Sequence, residues 1–401
     1  MPKKLVPQEL LFIFGLSNLV FSKQQNALSK YTKVFISLGS NLGDRWHHLQ
    51  EAIDQIYQKI GLITQVSQVY ETPAWGFEGS PFLNACIEIE TIFSAERCLK
   101  ELLEIELELG RTRLPNGEYS NRSIDLDILF YGHESHQSQS LIVPHPKLTE
   151  RDFVLAPLKD IAPNFSHPKL GNRIIEYFNK FTSPSIKIVD DLKLKIPQLP
   201  IIQYQYLAIE GNIGAGKTSL ASCIAHDYNA KFIPERFKDN PFLPKFYKDQ
   251  SRYAFPLEMS FLADRHQQLL DDISQFELFS EFAVADYDFY KSLIFAQVTL
   301  GEDEYRLYKK VFDIMYKELP KPDAYIYLYQ NTERLLSNIK KRGRGYEQEI
   351  QPEYLENLNK GYLNFIKNQQ FLKVKIIDIS ELDFVENRKD YLYLLEEIAG
   401  F

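Results

Sequence analysis

Tyr206-Leu207-Ala208-Ile209-Glu210-Gly211-Asn212-Ile213-Gly214-Ala215-Gly216-Lys217-Thr218 runs from a short apolar strand into a glycine-rich turn and then into a helical stretch, Lys217 to His226. Residues 211–218 satisfy G-x-x-x-x-G-K-[ST], and a strand before with a helix after is the setting in which that pattern cradles phosphate. The glycines let the chain curl so that its N–H groups converge on an anion, and the helix start adds its positive end. Lys217 can reach the outer phosphate oxygens, and the Thr218 hydroxyl suits Mg²⁺. Gly211, Asn212, Ile213, Gly214, Ala215, Gly216, Lys217 and Thr218 are therefore read as nucleotide-binding, with Thr218 also a metal ligand. A plain glycine-rich turn with a surface lysine is the weaker reading, because both flanks fit.

Outward from this loop, apolar strands at Phe279–Ala285, Ala324–Tyr329 and Val374–Ile379 alternate with helical stretches, which predicts an α/β fold with a parallel sheet covered on both faces. Upstream, between Thr182 and Gln203, the pattern weakens and Pro184, Pro197 and Pro200 stand among alternating Lys and Ile, which marks a domain boundary. Before it the texture differs. Strands are expected at Lys33–Leu38, Ile63–Glu71, Phe82–Glu90 and Ile124–Tyr131, and helices at Arg45–Ile60, with Asp44 as N-cap, and Ser94–Leu109, closed by Gly110. Adjacent strands with segregated helices predict an α+β sandwich of ferredoxin-like kind. The expected organisation is an extension over 1–31, an α+β domain over 32–181, a linker over 182–203 and a P-loop domain over 204–401.

The chain has 401 residues, and at roughly 150 residues per domain that length also argues for more than one. With 44% hydrophobic and 25% charged residues the composition is that of a soluble globular protein rather than a disordered chain or a membrane bundle. The net charge of -8 gives no overall field toward nucleic acid or anionic lipid, so any phosphate site must be local. Cys86, Cys98 and Cys223 lie far apart with no metal-ligand or disulfide spacing, which fits a reducing cytoplasm. The apolar run Leu10–Phe21 after Lys3 and Lys4 is too short to span a bilayer and lacks a cleavage site, and is read as an extension.

In the first half the informative segment is Arg122-Ser123-Ile124-Asp125-Leu126-Asp127-Ile128. On a strand, Asp125 and Asp127 share one face while Ile124, Leu126 and Ile128 take the other. Two like charges at that spacing repel unless a cation lies between them, and Mg²⁺ is the natural occupant. A solvated edge strand gives the same alternation. What favours the site is its surroundings: Arg111, Arg113, Arg122, His145 and Arg151 stand at loop positions able to gather on a polyphosphate. The loop Thr72-Pro73-Ala74-Trp75-Gly76-Phe77-Glu78-Gly79-Ser80-Pro81 is longer and more aromatic than a connection needs.

These pieces resemble hydroxymethyl-dihydropterin pyrophosphokinase over residues 33–180. The resemblance is carried by Ser37-Leu38-Gly39-Ser40-Asn41-Leu42-Gly43-Asp44, Tyr70-Glu71-Thr72-Pro73, Phe82-Leu83-Asn84-Ala85, Glu106 with Gly110-Arg111-Thr112-Arg113, the aspartate motif and Val143-Pro144-His145. It implies transfer of the β,γ-pyrophosphoryl group of ATP to the hydroxymethyl oxygen of a reduced pterin. Asp125 and Asp127 would bind Mg²⁺, Arg111, Arg122 and His145 would stabilise phosphoryl charge, Arg113 would contact ATP, and Thr72, Pro73, Phe82, Asn84 and Phe153 would form the pterin slot. The family often has Gly-Pro before the arginine of the aspartate motif, where this chain has Ser120-Asn121, and Tyr119 stands where Trp is frequent.

The second half resembles the deoxynucleoside kinases over residues 204–401, in the P-loop, Pro234-Glu235-Arg236-Phe237, Asn240-Pro241-Phe242-Leu243, Phe246-Tyr247, Ser260-Phe261-Leu262-Ala263-Asp264-Arg265 and Lys341-Arg342-Gly343-Arg344. By that resemblance Glu235 takes the proton of the 5′-hydroxyl, Tyr247 and Glu347 hold the sugar 3′-hydroxyl, Arg265 lies near the base, and Arg342 and Arg344 close over the transferring phosphoryl group. Two departures stand out. The family's acid-Arg-Ser motif reads Asp286-Tyr287-Asp288 here, so the acid survives and the arginine does not. Glu258 stands where many relatives read the base with Gln, which suggests guanine, whose N1–H and N2–H₂ are adjacent donors to a carboxylate; Lys291 stands near where relatives place an acid.

The expected protein is a bifunctional cytoplasmic enzyme using Mg-ATP in both halves, with a reduced pterin and a deoxynucleoside as substrates, no nucleic-acid or membrane partner, and a homodimer through the second domain by resemblance. A second reading, motivated by the absent arginine, makes the C-terminal half a nucleotide-binding regulatory or dimerisation module.

Overall fold

The computed structural model describes residues 31–112, 120–181, 186–236, 240–274 and 282–401. They divide into two compact units that meet at Leu199 and Pro200. The extension, Arg113 and Tyr119 lie outside the described residues apart from Tyr31. Among the described residues no helix is long and apolar enough to cross a membrane.

In the first unit the chain runs β1 (Thr32–Ser40), α1 (Arg45–Lys59), β2 (Leu62–Val66), β3 (Tyr70–Thr72), β4 (Phe82–Thr91), α2 (Ala95–Glu108), β5 (Asp125–Tyr131), the short pair β6 (His136–Gln137) and β7 (Ile142–Val143), α3 (Asp152–Ile161), α4 (Ile174–Phe178) and β8 (Lys187–Ile188). Asp44 caps α1 by accepting from the His47 amide, as its position before the helix predicts, and Ser94 caps α2 in the same way. The strands form one sheet in the order β5-β1-β4-β3-β8, with β2 also on β4. All of these pairings are antiparallel.

Register decides what the sheet presents. Gly39 pairs with Asp125 on one side and Asn84 on the other, and Ser37 pairs with Asp127 and Cys86, so these residues share one face. The same face carries the apolar cluster of Phe35, Cys86 and Phe130 packed on Val154, Leu155 and Leu158 of α3. Helices α1 and α2 pack against β1 and β5. Two expectations are corrected. The strand predicted over Ile63–Glu71 is broken into β2 and β3, and the stretch read as a linker supplies β8 and ties Lys195 and Gln198 to Gln50 and Tyr57 of α1.

The second unit runs β9 (Tyr206–Gly211), α5 (Lys217–Asp227), β10 (Lys231–Ile233), α6 (Leu243–Phe246), α7 (Gln250–Ser274), β11 (Ala283–Ala285), α8 (Tyr290–Thr299), α9 (Glu302–Tyr316), β12 (Ala324–Tyr329), α10 (Thr332–Arg342), α11 (Pro352–Asn368), β13 (Val374–Asp378) and α12 (Arg388–Ala399). Its five-stranded sheet has the order β10-β11-β9-β12-β13 and is parallel throughout. The strand β10, too short to show a period, is an addition to the four strands predicted. Its presence matters, because Glu235 follows β10, Asp286 follows β11 and the P-loop follows β9. Three neighbouring strands therefore deliver their loops to one carboxyl edge, the place where open parallel sheets bind ligands.

Candidate active sites

The first site is a cavity lined by Ser37, Gly39 and Asn84 of the sheet, Asp125 and Asp127 of β5, Arg111, Arg122, His145, Thr72, Pro73, Trp75, Phe77, Phe82, and Arg151, Phe153 and Val154 at the start of α3. Gly39 keeps its floor open: a Cβ there would lie 3.1 Å from the Asn84 amide oxygen and 3.9 Å from the Asp125 Cβ. Gly110, in the left-handed region at φ 81°, turns the chain out of α2 so that Arg111 faces back over β5. One Arg111 guanidinium nitrogen contacts both Glu106 Oε1 and Asp125 Oδ1. Arg122 Nη2 lies 3.2 Å from the other Asp125 oxygen. Glu106 also accepts from the Leu126 amide at 2.8 Å, so this buried carboxylate fixes the strand and the arginine together.

Burial raises the Asp127 carboxyl to about 7, with Asp125 and Glu106 adding to the shift. His145 moves the other way, pushed down to about 4 by burial and then by Arg151. It is a neutral imidazole whose Nδ1 accepts from the Lys147 amide, which leaves the proton on Nε2.

The predicted pterin residues converge. Asn84 Nδ2 donates to Thr72 Oγ1 at 2.8 Å, and both side chains are buried. Phe82 lies under the Arg122 guanidinium, and Phe153 stands 6.4 Å from Trp75 between ring centroids, with Arg151 over both rings. In the sequence Trp75 and Phe77 stand out only as part of an aromatic loop, and Arg151 only as a nearby cation. Asn41, buried in the Ser37–Asp44 motif, donates to the Ser80 carbonyl and the Asn121 amide oxygen and accepts from the Arg122 amide. It joins the aromatic loop to the loop of Arg122, and Asn121, one of the two residues departing from Gly-Pro, takes part in that joint.

In the second site Gly214 and Gly216 have φ of 86° and 84°, and a Cβ on them would meet the Leu335 carbonyl and the Phe384 ring at 2.9 and 2.7 Å. Both the conformation and the space require glycine. Lys217 Nζ bonds the Gly211 and Asn212 carbonyls, each at 2.9 Å, folded onto its own loop. The Thr218 hydroxyl donates to Asp286, and Asp286 accepts from the Glu235 amide at 2.6 Å.

Glu235 is the hub. Arg265 holds Oε1 through Nε and Nη2 at 3.0 and 2.8 Å, and Lys291 Nζ lies 2.6 Å from Oε2. Burial alone would raise this carboxyl, but Lys291 and Arg265 outweigh it and hold the group well below the usual carboxylate range. Arg265, which the resemblance set near the base, commits its guanidinium to Glu235 and to the Ser292 hydroxyl. Glu258 is buried, accepts from Thr299 at 3.1 Å, and is raised to about 7 by burial. Arg342 and Arg344 do not reach this cluster: both pair with Glu347. Tyr247 packs beside Phe246 in a separate aromatic cluster with Phe242 and Tyr253. Among the described residues no group of three or more His, Cys, Asp and Glu side chains forms a ready-made metal cage in either unit.

Comparison with known proteins agrees with the division into units. Residues 35–163 match the family model described as 7,8-dihydro-6-hydroxymethylpterin-pyrophosphokinase, and residues 207–401 match that of the deoxynucleoside kinases. The second unit is similar to the deoxyguanosine kinase of Bacillus subtilis, 40% identical over 190 residues, covering 46% of this chain and 92% of that protein. The first is similar to the 2-amino-4-hydroxy-6-hydroxymethyldihydropteridine pyrophosphokinase of Porphyromonas gingivalis, 43% identical over 139 residues, covering 34% of this chain and 94% of the relative. A folic acid synthesis protein of Pneumocystis carinii is 41% identical over 170 residues, 42% of this chain, which spans only 23% of that protein's length.

Proposed function

The chain belongs to the hydroxymethylpterin pyrophosphokinase family through its first unit and to the deoxynucleoside kinase family through its second, and from that premise we infer which side chains serve each reaction. It is a bifunctional enzyme, a pterin pyrophosphokinase of folate synthesis joined to a deoxynucleoside kinase. The strand order of the first unit, with β1 between β5 and β4, supports a ferredoxin-like reading of that fold.

In the first site the pterin lies between Phe82 and the Trp75–Phe153 side, with Asn84 and Thr72 at its edge. Its hydroxymethyl oxygen attacks the β-phosphorus of ATP, the bond from that phosphorus to the α,β-bridging oxygen breaks, and AMP leaves with the electron pair while the hydroxyl gives up its proton. Asp125 and Asp127 fit Mg²⁺: the carboxyl of Asp127 is lifted by burial and by two neighbouring carboxylates, a surplus of negative charge that a divalent cation relieves. With ATP phosphates completing its shell, Mg²⁺ supplies charge neutralisation at the triphosphate. Arg111 and Arg122, both on Asp125, are the cations placed to meet the incoming phosphates, and His145 offers a neutral N–H donor.

In the second site the P-loop amides and Lys217 hold the triphosphate, and Thr218 with Asp286 provides the oxygen pair suited to Mg²⁺. Glu235 accepts the 5′-hydroxyl proton as the 5′-oxygen bonds the γ-phosphorus and ADP departs with the bridging oxygen. Tyr247 and Glu347 serve the 3′-hydroxyl, and Arg342 and Arg344 the phosphates. The acceptor is deoxyguanosine, which Glu258 supports by its chemistry and the deoxyguanosine kinase of Bacillus subtilis by its similarity.

The observation that carries this reading is the grip of two cations on Glu235 beside the P-loop, an arrangement a passive nucleotide-binding module has no use for. The test is product analysis with Mg-ATP: AMP is expected with hydroxymethyl-dihydropterin and ADP with deoxyguanosine. AMP with the pterin but no acceptor-dependent ADP would leave the second unit a binding module.

A further inference from the structure

We propose that Lys291 is the positioning residue that replaces the arginine missing after Asp286, holding the second oxygen of Glu235 so that the first can be fixed by Arg265. The inference rests on the reading of Glu235 as the proton acceptor.

Where the family motif has arginine this chain has Tyr287, whose side chain is fully buried in the core beside Phe289 and Tyr308. It carries no charge, and the site needs a cation from elsewhere. Two helices supply one each. Arg265 of α7 takes Glu235 Oε1 through two nitrogens and uses a third on Ser292 Oγ at 2.7 Å, so it also ties α7 to α8. Lys291, one residue before Ser292 on α8, brings its ammonium to Oε2 at 2.6 Å and is itself 6% exposed. The ammonium also stands 5.5 Å from the Phe295 ring and within electrostatic reach of Glu210, Lys217, Glu258 and Asp286.

A buried ion pair is weak support for stability, because desolvation offsets most of the attraction. A buried lysine held at one point is therefore better explained by the carboxylate it serves. The two cations differ in kind: the arginine fork is pinned at three bonds, whereas the ammonium sits on a flexible four-carbon stem. Lys291 is the partner able to follow Glu235 as charge on that carboxylate changes during transfer. Asp286, Lys217 and Glu210 complete the charged surroundings of Glu235 on the P-loop side.

The experiment is a double-mutant cycle on the full chain, measuring deoxyguanosine phosphorylation. Lys291→Met is expected to lower kcat roughly 100-fold with KM within about threefold, a loss of the size carried by an acid–base group. Lys291→Arg should restore most of it. In a Glu235→Gln background, Lys291→Met should add nothing, because the residue through which it acts is gone; a purely packing role would lower activity equally in both backgrounds. Lys291→Met within about threefold of the parent overturns the proposal, and so do losses that multiply. Should the methionine variant lack a cooperative unfolding transition, Lys291→Gln, of similar length and polar, takes its place in the cycle. Near-parental activity of Glu235→Gln would instead remove the reading of Glu235, which separates the two failures.

Discussion

Glu258→Gln tests whether burial, rather than charge pairing, governs the base-reading end of the second site. The carboxyl is 2% exposed, its Oε2 has no hydrogen-bond partner among the described residues, and burial raises it from 4.5 to about 7 against the opposing pull of Arg265, Thr299 and Lys291. A carboxyl whose folded pKa is raised has no penalty below the unfolded value, loses stability as pH climbs past 4.5, and reaches the full loss above 7. That loss is about 3 kcal/mol. Glutamine keeps the shape and the bond from Thr299 but cannot ionise. The variant should lie within about 1 kcal/mol of the parent near pH 5 and exceed it near pH 8 by about 3 kcal/mol, roughly 6–12 °C in Tm for a unit of this size. Calorimetry of the full chain at both pH values measures it. The same titration reaches the substrate, because guanine's two donors require the ionised form. KM for deoxyguanosine should rise about tenfold per unit as pH falls below 7 in the parent, and stay flat in the variant. A stability difference that is the same at pH 5 and pH 8 would refute the reasoning.

Asp125→Asn with Asp127→Asn should reduce AMP formation from the pterin by roughly a thousandfold or more, since metal-held charge neutralisation is removed, while ADP formation with deoxyguanosine is unchanged. Asn41→Ala deletes three hydrogen bonds and strands the Arg122 amide, so it should destabilise the first unit by about 2–3 kcal/mol and raise the pterin KM more than it lowers kcat; unchanged unfolding and KM would show that the two loops hold without it. Glu347→Gln should release Arg342 and Arg344 and raise the deoxynucleoside KM at least about tenfold, measured by initial rates at saturating ATP, with no effect on the pterin reaction.

What could be read from the chain was what is local. The alternation through Asp125 and Asp127 predicted their shared face because strand geometry alone sets it. The P-loop was legible because its glycines answer to backbone conformation and near neighbours. Glu258 could be singled out as unusual, yet its ionisation depends on how deeply the fold buries it and on Arg265 and Thr299 beside it. Lys291 could be noticed but not assigned a role: its meaning lies in Glu235, 56 residues away, and the pairing of β10 with β11, which leads on into α8, brings the two together. Trp75 belonged to a loop that invited attention, but a loop ring acquires its place only from Phe153 and Arg151. Short elements such as β8 and β10 carry too few residues to display a period, and exist because a neighbouring strand offers an open edge.

The boundary at Leu199 and Pro200 has a consequence for the cell rather than for either site. Residues up to Gln198 are bonded into the first unit, and the Pro200 carbonyl already accepts from Tyr228 of the second. Each ribosomal pass therefore yields one centre of each type, and the molar ratio of the two activities is locked at synthesis. Transcription of this chain raises or lowers both centres together, so the balance between its two activities is set by catalytic constants and by the supply of each acceptor.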